Sequence, residues 1–477
     1  MSAEFAGRRA TVMGLGLFGG GLGVAKFLAR RGAQVTVTDR ASAEKLAPSI
    51  EALRGLDVRF VLGRHDEADF ESTDLVVASP AVKIADPLLE LARSKGIPVK
   101  TEILLFLERC RAPVIAVTGS IGKTTTTSLL ADMVSAGGRR VWLGGNIGRS
   151  LLEDVRAIRP DDRVVLELSS FQLEHLGRTA WRPSIAVVTN LRPNHLDWHG
   201  DMAAYALAKS QIARHQDAED QLVLNADDPA LREWEGWARS RVRWFARSGP
   251  RAPGLWDDQG VARSTDDPSL ELFRSEDLRL RGRFHFANAL AAASGALAAG
   301  VPAEAILRAV RDFEPVEHRL EWVARKGGVD WYNDSKATTA DSTIAALEAL
   351  ERPIVLIAGG SDKSLPLEEL ARAALERASA IVLVGPMGPR LRAALAAEAR
   401  PGSPAPDVAV AARLAEAVEH ARRLARPGSN VLLSPATASY DEFSNFEERG
   451  RRFKELVGNL PWDFDGDSPS LARHPAR

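Results

Sequence analysis

Gly119-Ser120-Ile121-Gly122-Lys123-Thr124-Thr125 has the residue types for one task, holding phosphate. Two glycines let backbone N–H groups curl round an anion. A helix start adds partial positive charge, Lys123 adds a full one, and the Thr124 hydroxyl can reach Mg²⁺. The spacing is shorter than the common G-x-x-x-x-G-K loop, because Val117 stands where its first glycine would fall. The β-branched run Val114–Thr118 ahead of the loop reads as a strand. Lys123–Thr126 reads as the opening of a helix, the context a mononucleotide loop requires.

Four polar clusters follow. Gly144-Gly145-Asn146-Ile147-Gly148 is a second glycine turn, with an amide side chain suited to bridging phosphate or substrate. Glu167 ends an apolar run, where α/β sheets place ligand groups. A carboxylate near a nucleotide phosphate is most useful on Mg²⁺, although Glu167 taken alone also reads as a helix cap or a solvated strand end. Thr189–Asp197 again follows an apolar run and contains His195. His195 and His199 stand four apart, which invites a zinc-helix reading. That reading fails, because no Glu follows the first His and Pro193 precedes it by two. Tyr205 and Lys209 share a helix face. By itself Lys209 is an ordinary solvated charge.

Near the N-terminus, Gly14-Leu15-Gly16-Leu17-Phe18-Gly19 fits G-x-G-x-x-G, and Asp39 lies twenty residues after Gly19. A dinucleotide fold would show this pattern. So would a tight strand-to-helix turn that needs glycine for packing.

The elements that must carry these residues alternate. Strands are expected at Ala10–Met13, Gln34–Thr38, Val58–Leu62, Asp74–Ala78 and Ile97–Lys100, then at Val114–Thr118, Val164–Leu168, Ile185–Thr189, Gln221–Asn225 and Val242–Ala246. Residues 247–281 read as a loop or a small β excursion. After Pro315 strands are expected at Asp330–Asn333, Ile354–Ala358, Ala380–Val384, Val408–Val410 and Asn430–Ser434. Helices of ordinary length lie between them, so an α/β fold with parallel sheets is expected in all three parts. The tail 461–477 reads as disordered.

At 477 residues the chain is too long for one core. Its net charge of −1 gives no bulk attraction to nucleic acid or to an anionic membrane, so neither is an expected partner. One cysteine, Cys110, excludes an internal disulfide and fits a reducing compartment. No apolar leader or run of about 18 apolar residues is present, and a cytoplasmic protein is expected.

In order along the chain stand T-G-S-I-G-K-T-T-T, G-G-N-I-G, E-L-S-S-F-Q-L, N-x-x-x-N-H-L-D, Y-x-x-x-K, N-D-S-K-A-T and S-P-A-x-A-S-x-D-x-F-x-N-F-E-x-R-G. Together they closely resemble the Mur ligase family over about residues 8–457, and within it the members that add D-glutamate. The resemblance implies three domains: 1–107, Rossmann-like and binding the UDP end of a UDP-N-acetylmuramoyl-L-alanine substrate; 108–314, binding ATP; and 315–460, Rossmann-like and holding the glutamate. It implies a monomer with small-molecule partners, two Mg²⁺ sites, and a CO₂-derived carbamate on Lys209.

By the same resemblance, Lys123, His195, Lys209 and Asn146 are catalytic. Gly119, Ser120, Gly122, Lys123, Thr124, Thr125, Asn288, His318, Arg319 and Asp334 surround ATP. Gly16, Leu17, Phe18, Asp39, Arg40 and Asn146 meet the UDP-substrate. Lys336, Thr338, Lys363, Ser439 and Phe446 hold glutamate. Thr124 and Glu167 hold one Mg²⁺, and His195 with carbamylated Lys209 the other. Three departures touch binding: Ala81 after Ser79-Pro80, Phe284-His285 ahead of Asn288, and the glycine-rich Gly19-Gly20-Gly21. L-glutamate or another amino acid is the nearest alternative. A nicotinamide oxidoreductase would leave everything after residue 113 unexplained.

Overall fold

The computed structural model describes residues 4–16, 20–147, 150–279, 283–314, 317–362, 366–400 and 405–461. Leu17, Phe18 and Lys363 lie outside them, as does the tail 462–477.

The first sheet has five parallel strands: β1 (Arg9–Met13), β2 (Gln34–Asp39), β3 (Val58–Leu62), β4 (Leu75–Ala78) and β5 (Val99–Thr101), in the order β3-β2-β1-β4-β5. Leu75–Ala78 is buried at every position, as a parallel strand covered on both faces must be. The order reverses between β1 and β4, so a crevice opens at their carboxyl ends, beside Gly14 and Ser79. Gly21, in the first turn of the helix Gly20–Ala29, has no room for a side chain. A Cβ there would come within 2.1 Å of the Gly14 carbonyl oxygen, which accounts for part of the run of glycines.

The second sheet has nine strands: β6 (Val114–Thr118), β7 (Val141–Gly145), β8 (Arg163–Glu167), β9 (Ile185–Val188), β10 (Gln221–Asn225), β11 (Arg241–Ala246), β12 (Gly254–Asp258), β13 (Val261–Ser264) and β14 (Glu271–Arg274). Their order is β14-β13-β12-β11-β10-β9-β6-β8-β7. The third has β15 (Glu321–Lys326), β16 (Val329–Asn333), β17 (Ile354–Gly359), β18 (Ala378–Val384), β19 (Asp407–Ala411) and β20 (Asn430–Leu433), ordered β15-β16-β20-β17-β18-β19.

The expectation of purely parallel sheets is corrected at three pairings. β12–β13, β13–β14 and β15–β16 are antiparallel. Two of these hairpins turn on two residues, Gln259-Gly260 and Gly327-Gly328, all four with positive φ. A two-residue connection can join only antiparallel strands, and positive φ at both positions is what such a turn needs.

Contacts divide the chain into two compact units. One carries β1–β14 with the helices Arg283–Ala298 and Ala303–Asp312, and the other carries β15–β20. A single hydrophobic cluster in the first unit runs from Phe5 through Ala116 to Trp244. In the second unit the alternation of Ile354, Leu356 and Ala358 with Val355 and Ile357 splits the core between the two faces of the sheet. Among the described residues no helix is long and apolar enough to cross a membrane.

Candidate active site

Strand β6 runs between β8 and β9 and delivers the chain to the carboxyl edge of the second sheet. There it turns at Gly119 (φ 147°) and Gly122 (φ 84°). A Cβ on Gly119 would lie 1.9 Å from Thr189 Oγ1, and one on Gly122 would lie 2.2 Å from Asn288 Oδ1. Both neighbours therefore press on the loop and fix its curl. Asn190 holds it from below, its carbonyl accepting from Ser120 N and its Oδ1 from Ile121 N, each at 3.0 Å. Ser120 Oγ donates to Arg192 O at 2.8 Å and meets Tyr205 OH at 3.0 Å. Buried Thr124 and Thr125 lie in the first turn of the helix Lys123–Ala136, whose positive end faces an anion bound in the loop.

Glu167 ends the neighbouring strand and is 1% exposed. Its Oε2 accepts from Thr124 Oγ1 at 2.7 Å and its Oε1 from Asn146 Nδ2 at 2.8 Å. Lys123 Nζ curls back to Gly119 O (3.0 Å) and Ser120 O (2.9 Å). Lys209 is not the solvated charge that its position alone implied. It is 1% exposed, and its Nζ donates to Gly119 O at 2.8 Å. Burial pushes this amine well below the usual lysine range, and the charge of Lys123 adds to the effect, against an opposing pull from Glu167. One loop head thus gathers Lys123, Thr124, Asn146, Glu167 and Lys209.

His195 (φ 55°) heads the short helix Leu196–His199, and its ring lies 4.9 Å from that of Phe171. Phe171 also stacks on His199, His199 meets Tyr205, and Tyr205 lies under Lys209 Nζ. A file of rings therefore ties His195 to the loop head. Next to it, Asn194 Oδ1 is buried and has no hydrogen-bond partner among the described residues. These donors suit Mg²⁺. A hydroxyl and a carboxylate meet at one point, and further oxygen or imidazole ligands lie on the adjoining segment. Among the described residues no three His, Cys, Asp or Glu side chains converge as a self-sufficient metal cage.

A cavity of about 860 Å³ lies in the same unit, at the crevice of the first sheet. Gly16, Asp39, Arg40 and Asn146 line it, with Ser79, Ala81, Lys83, Glu102 and Trp198. Asp39 is more committed than expected. Its Oδ2 accepts from Leu15 N (2.8 Å) and Gly16 N (3.3 Å), and its Oδ1 from Ala41 N (2.8 Å). It shapes the glycine turn as well as facing the cavity. Asn288 faces the phosphate loop, and His285, one turn earlier on the same helix, is buried.

The remaining expected residues lie in the second unit, around the carboxyl ends of β16 and β20. His318 (φ 62°) is buried. Its Nδ1 accepts from Asn333 Nδ2 at 2.9 Å, its ring meets Phe446 edge-on, and burial lowers its pKa. Lys336 is exposed and Thr338 half-buried, while Ser439 is buried and Phe446 half-buried. Asp334 turns inward, with Oδ1 accepting from Leu320 N (3.1 Å) and Oδ2 from Ser434 Oγ (2.7 Å). The nearby charge of half-buried Arg319 pulls its pKa down, yet burial wins and pushes it up to about 7.

A carboxyl raised this far binds a proton in the folded state that the unfolded chain, at about 3.9, releases. Stability from this group is therefore present at low pH and is lost as pH rises through 7. Between pH 5 and pH 8 the wild type should lose about 2–3 kcal/mol relative to Asp334→Asn. Thermal unfolding across that range checks this, and parallel profiles would contradict it.

Arg449 was not among the expected site residues. It is buried, donating from Nε to Ser335 Oγ (2.9 Å) and from Nη2 to Ser335 O (2.9 Å) and Thr437 O (3.1 Å). It therefore braces the segments that carry Lys336 and Ser439. The signal was present: Arg449, Phe453 and Val457 recur at the helical spacing of a buried face.

Three family models match the chain: the Mur ligase MurD-like N-terminal domain over residues 8–101, the Mur ligase middle domain over 117–296, and the Mur ligase glutamate ligase domain over 318–437. Among curated relatives, the UDP-N-acetylmuramoylalanine–D-glutamate ligase of Symbiobacterium thermophilum is 45% identical over 456 residues, covering 95% of this chain and 98% of that protein. The protein of the same name from a Roseiflexus species is 43% identical over 465 residues, covering 95% and 99%. Among solved structures, the UDP-N-acetylmuramate–alanine ligase MurC of Thermotoga maritima is similar in fold, with a TM-score of 0.55 at 19% identity over 94% of this chain and 99% of that one. MurF of Acinetobacter baumannii also has a TM-score of 0.55, at 16% identity over 95% and 92%. With the phosphate loop, its buried carboxylate and its buried lysine assembled at one sheet edge, and three successive domain models matched in order, the chain belongs to the Mur ligase family.

Proposed function

We infer that the chain is an ATP-dependent ligase that joins D-glutamate to the alanyl carboxylate of UDP-N-acetylmuramoyl-L-alanine, in the synthesis of peptidoglycan precursors. The observation that carries this is near full-length identity of 40% and above to ligases of that name. The chemistry fits the site. A carboxylate at neutral pH is a poor electrophile. Transfer of the ATP γ-phosphoryl group to it gives an acyl phosphate and ADP. The glutamate amine then attacks the acyl carbon, loses a proton, and phosphate leaves from the tetrahedral intermediate. Anions are brought together throughout, so fixed cations and N–H donors supply most of the rate.

In this reading the loop amides at Gly119–Thr125 and the Lys123 ammonium hold the β- and γ-phosphates. Asn288 is assigned to the nucleotide, and so, from the resemblance alone, are His318, Arg319 and Asp334. Thr124 and Glu167 would hold one Mg²⁺, and His195 with Lys209 a second; bound there, Mg²⁺ would supply charge neutralisation for the phosphates and polarisation of the transferred group. Burial supports the carbamate on Lys209, since a neutral amine can attack CO₂, release a proton and leave an anion. Gly16, Asp39, Arg40 and Asn146 receive the UDP-sugar, and Lys336, Thr338, Ser439 and Phe446 receive glutamate. The proposed division at 1–107, 108–314 and 315–460 is supported by one sheet lying within each span.

With ATP, Mg²⁺ and UDP-N-acetylmuramoyl-L-alanine, the purified protein should release phosphate only when D-glutamate is added. Equal or faster turnover with L-glutamate would overturn the stereochemical assignment.

A further inference from the structure

Ser150 lies between the helix Gly20–Ala29 and Glu102, a residue that lines the cavity. It presses so closely on Gly23 of the helix Gly20–Ala29 that a Cβ there would lie 2.8 Å from its own Cβ. Its hydroxyl accepts from Leu152 N at 3.3 Å and donates to Glu102 Oε1. Glu102 opens the helix Glu102–Leu107 directly after β5, and it lines the cavity together with Gly20, Gly21 and Asn146. Burial pushes its carboxyl up, and the Ser150 hydroxyl opposes the shift. Among the described residues this is the carboxyl's one hydrogen bond.

The other end of the same loop is fixed elsewhere. Asn146 donates twice to Glu167, from its backbone N to the carbonyl and from Nδ2 to Oε1, each at 2.8 Å. Asn146 is therefore pinned to the phosphate-site carboxylate, and Ser150, four residues on, to a carboxyl of the UDP-side cavity. A buried carboxyl is a costly way to fill space. An apolar side chain would pack there at less cost but would set no direction.

We propose that Glu102 is a positioning residue for the UDP-sugar: through Ser150 it fixes the Asn146 loop against the first helix, so that the two walls of the cavity keep their spacing. The inference rests on the ligase reading above. It predicts an effect on one substrate and not on the other, because ATP is held by a loop that Glu102 does not touch.

Steady-state kinetics with UDP-N-acetylmuramoyl-L-alanine, ATP and D-glutamate test it. Glu102→Ala and Ser150→Ala should each raise KM for the UDP-sugar about tenfold, the worth of one buried hydrogen bond. KM for ATP should stay within about twofold of wild type, since its binding groups are untouched. Glu102→Gln, whose amide oxygen can still accept from Ser150, should restore most of the affinity. The double alanine variant should be no worse than the poorer single one, as expected of two residues that share one interaction. Unchanged UDP-sugar KM in the single variants, an equal rise in both KM values, a Gln variant that behaves like Ala, or additive effects would each overturn the proposal. Ser150→Ala keeps the test open should Glu102→Ala fail to fold. Wild-type turnover in the same assay separates the two readings: without it the ligase assignment falls, and with it only the positioning role is at stake.

Discussion

Lys123→Ala is expected to lower kcat by about 10³-fold, the scale for removing a fixed cation from a phosphoryl-transfer site. The expectation follows from what the residue does and what remains without it. Its ammonium lies within 3.0 Å of two loop carbonyls, so it is placed by the loop rather than free on the surface. The helix start and the glycine turn survive the substitution, because Thr189, Asn190 and Asn288 hold them from outside. ATP should therefore still bind, weakened less than catalysis. Lys123→Arg should not rescue, since a planar fork does not replace a compact point charge on those carbonyls. Phosphate release and calorimetric ATP binding, measured side by side, separate the two effects. A kcat within tenfold of wild type would remove Lys123 from the transition state.

Which parts of this were legible in the sequence follows from the range of the interactions. The phosphate loop was legible because its chemistry is local: strand, glycines, lysine and threonine are contiguous. Strands such as Val114–Thr118 and Ile185–Val188 were legible because apolar β-branched runs of that length do little else. The hairpins of β12–β14 were read only as a loop or a small β excursion, and that of β15–β16 was passed over, although Gln259-Gly260 and Gly327-Gly328 are turn signals. The flanking strands are polar and only partly buried, so their pattern is weak. The strand β7, Val141–Gly145, was overlooked for a similar reason: half of it is a glycine turn.

The site divides in the same way. Glu167 ends an apolar run, and position marked it. Lys209 was marked only by resemblance, because what makes it unusual is complete burial beneath a loop ninety residues earlier in the chain. Asp334 illustrates the reverse. Its motif marked a ligand, yet its carboxylate points into the fold. Nothing in Asn333-Asp334-Ser335 shows that Ser434 will sit a hydrogen bond away.

Lys209→Ala is expected to lose at least about 10²-fold in kcat and to recover part of it with added acetate or propionate. The argument starts from electrostatics. At 1% exposure, burial disfavours the ammonium, and the nearby Lys123 charge adds to this, so the pKa is lowered and the neutral amine is favoured more than in an ordinary lysine. A neutral amine attacks the carbon of CO₂, and loss of one proton leaves a carbamate. The product is an anion set beside the Lys123 charge and the Thr124–Glu167 pair, where an acceptor carboxylate and phosphates must be brought together around cations. The unmodified residue offers no such charge, which makes a lysine at this buried point otherwise hard to explain. Alanine removes the carbamate and leaves its volume empty, and a short carboxylate can enter that space and supply the missing anion. Lys209→Arg should stay inactive with or without carboxylate, because its guanidinium fills the space and keeps its charge. Labelled bicarbonate should give a carbamate carbon signal in the wild type and none in Lys209→Ala. Full activity of the wild type in rigorously CO₂-free buffer, with no carbamate signal, would sink the assignment and leave Lys209 as a neutral donor to the Gly119 carbonyl.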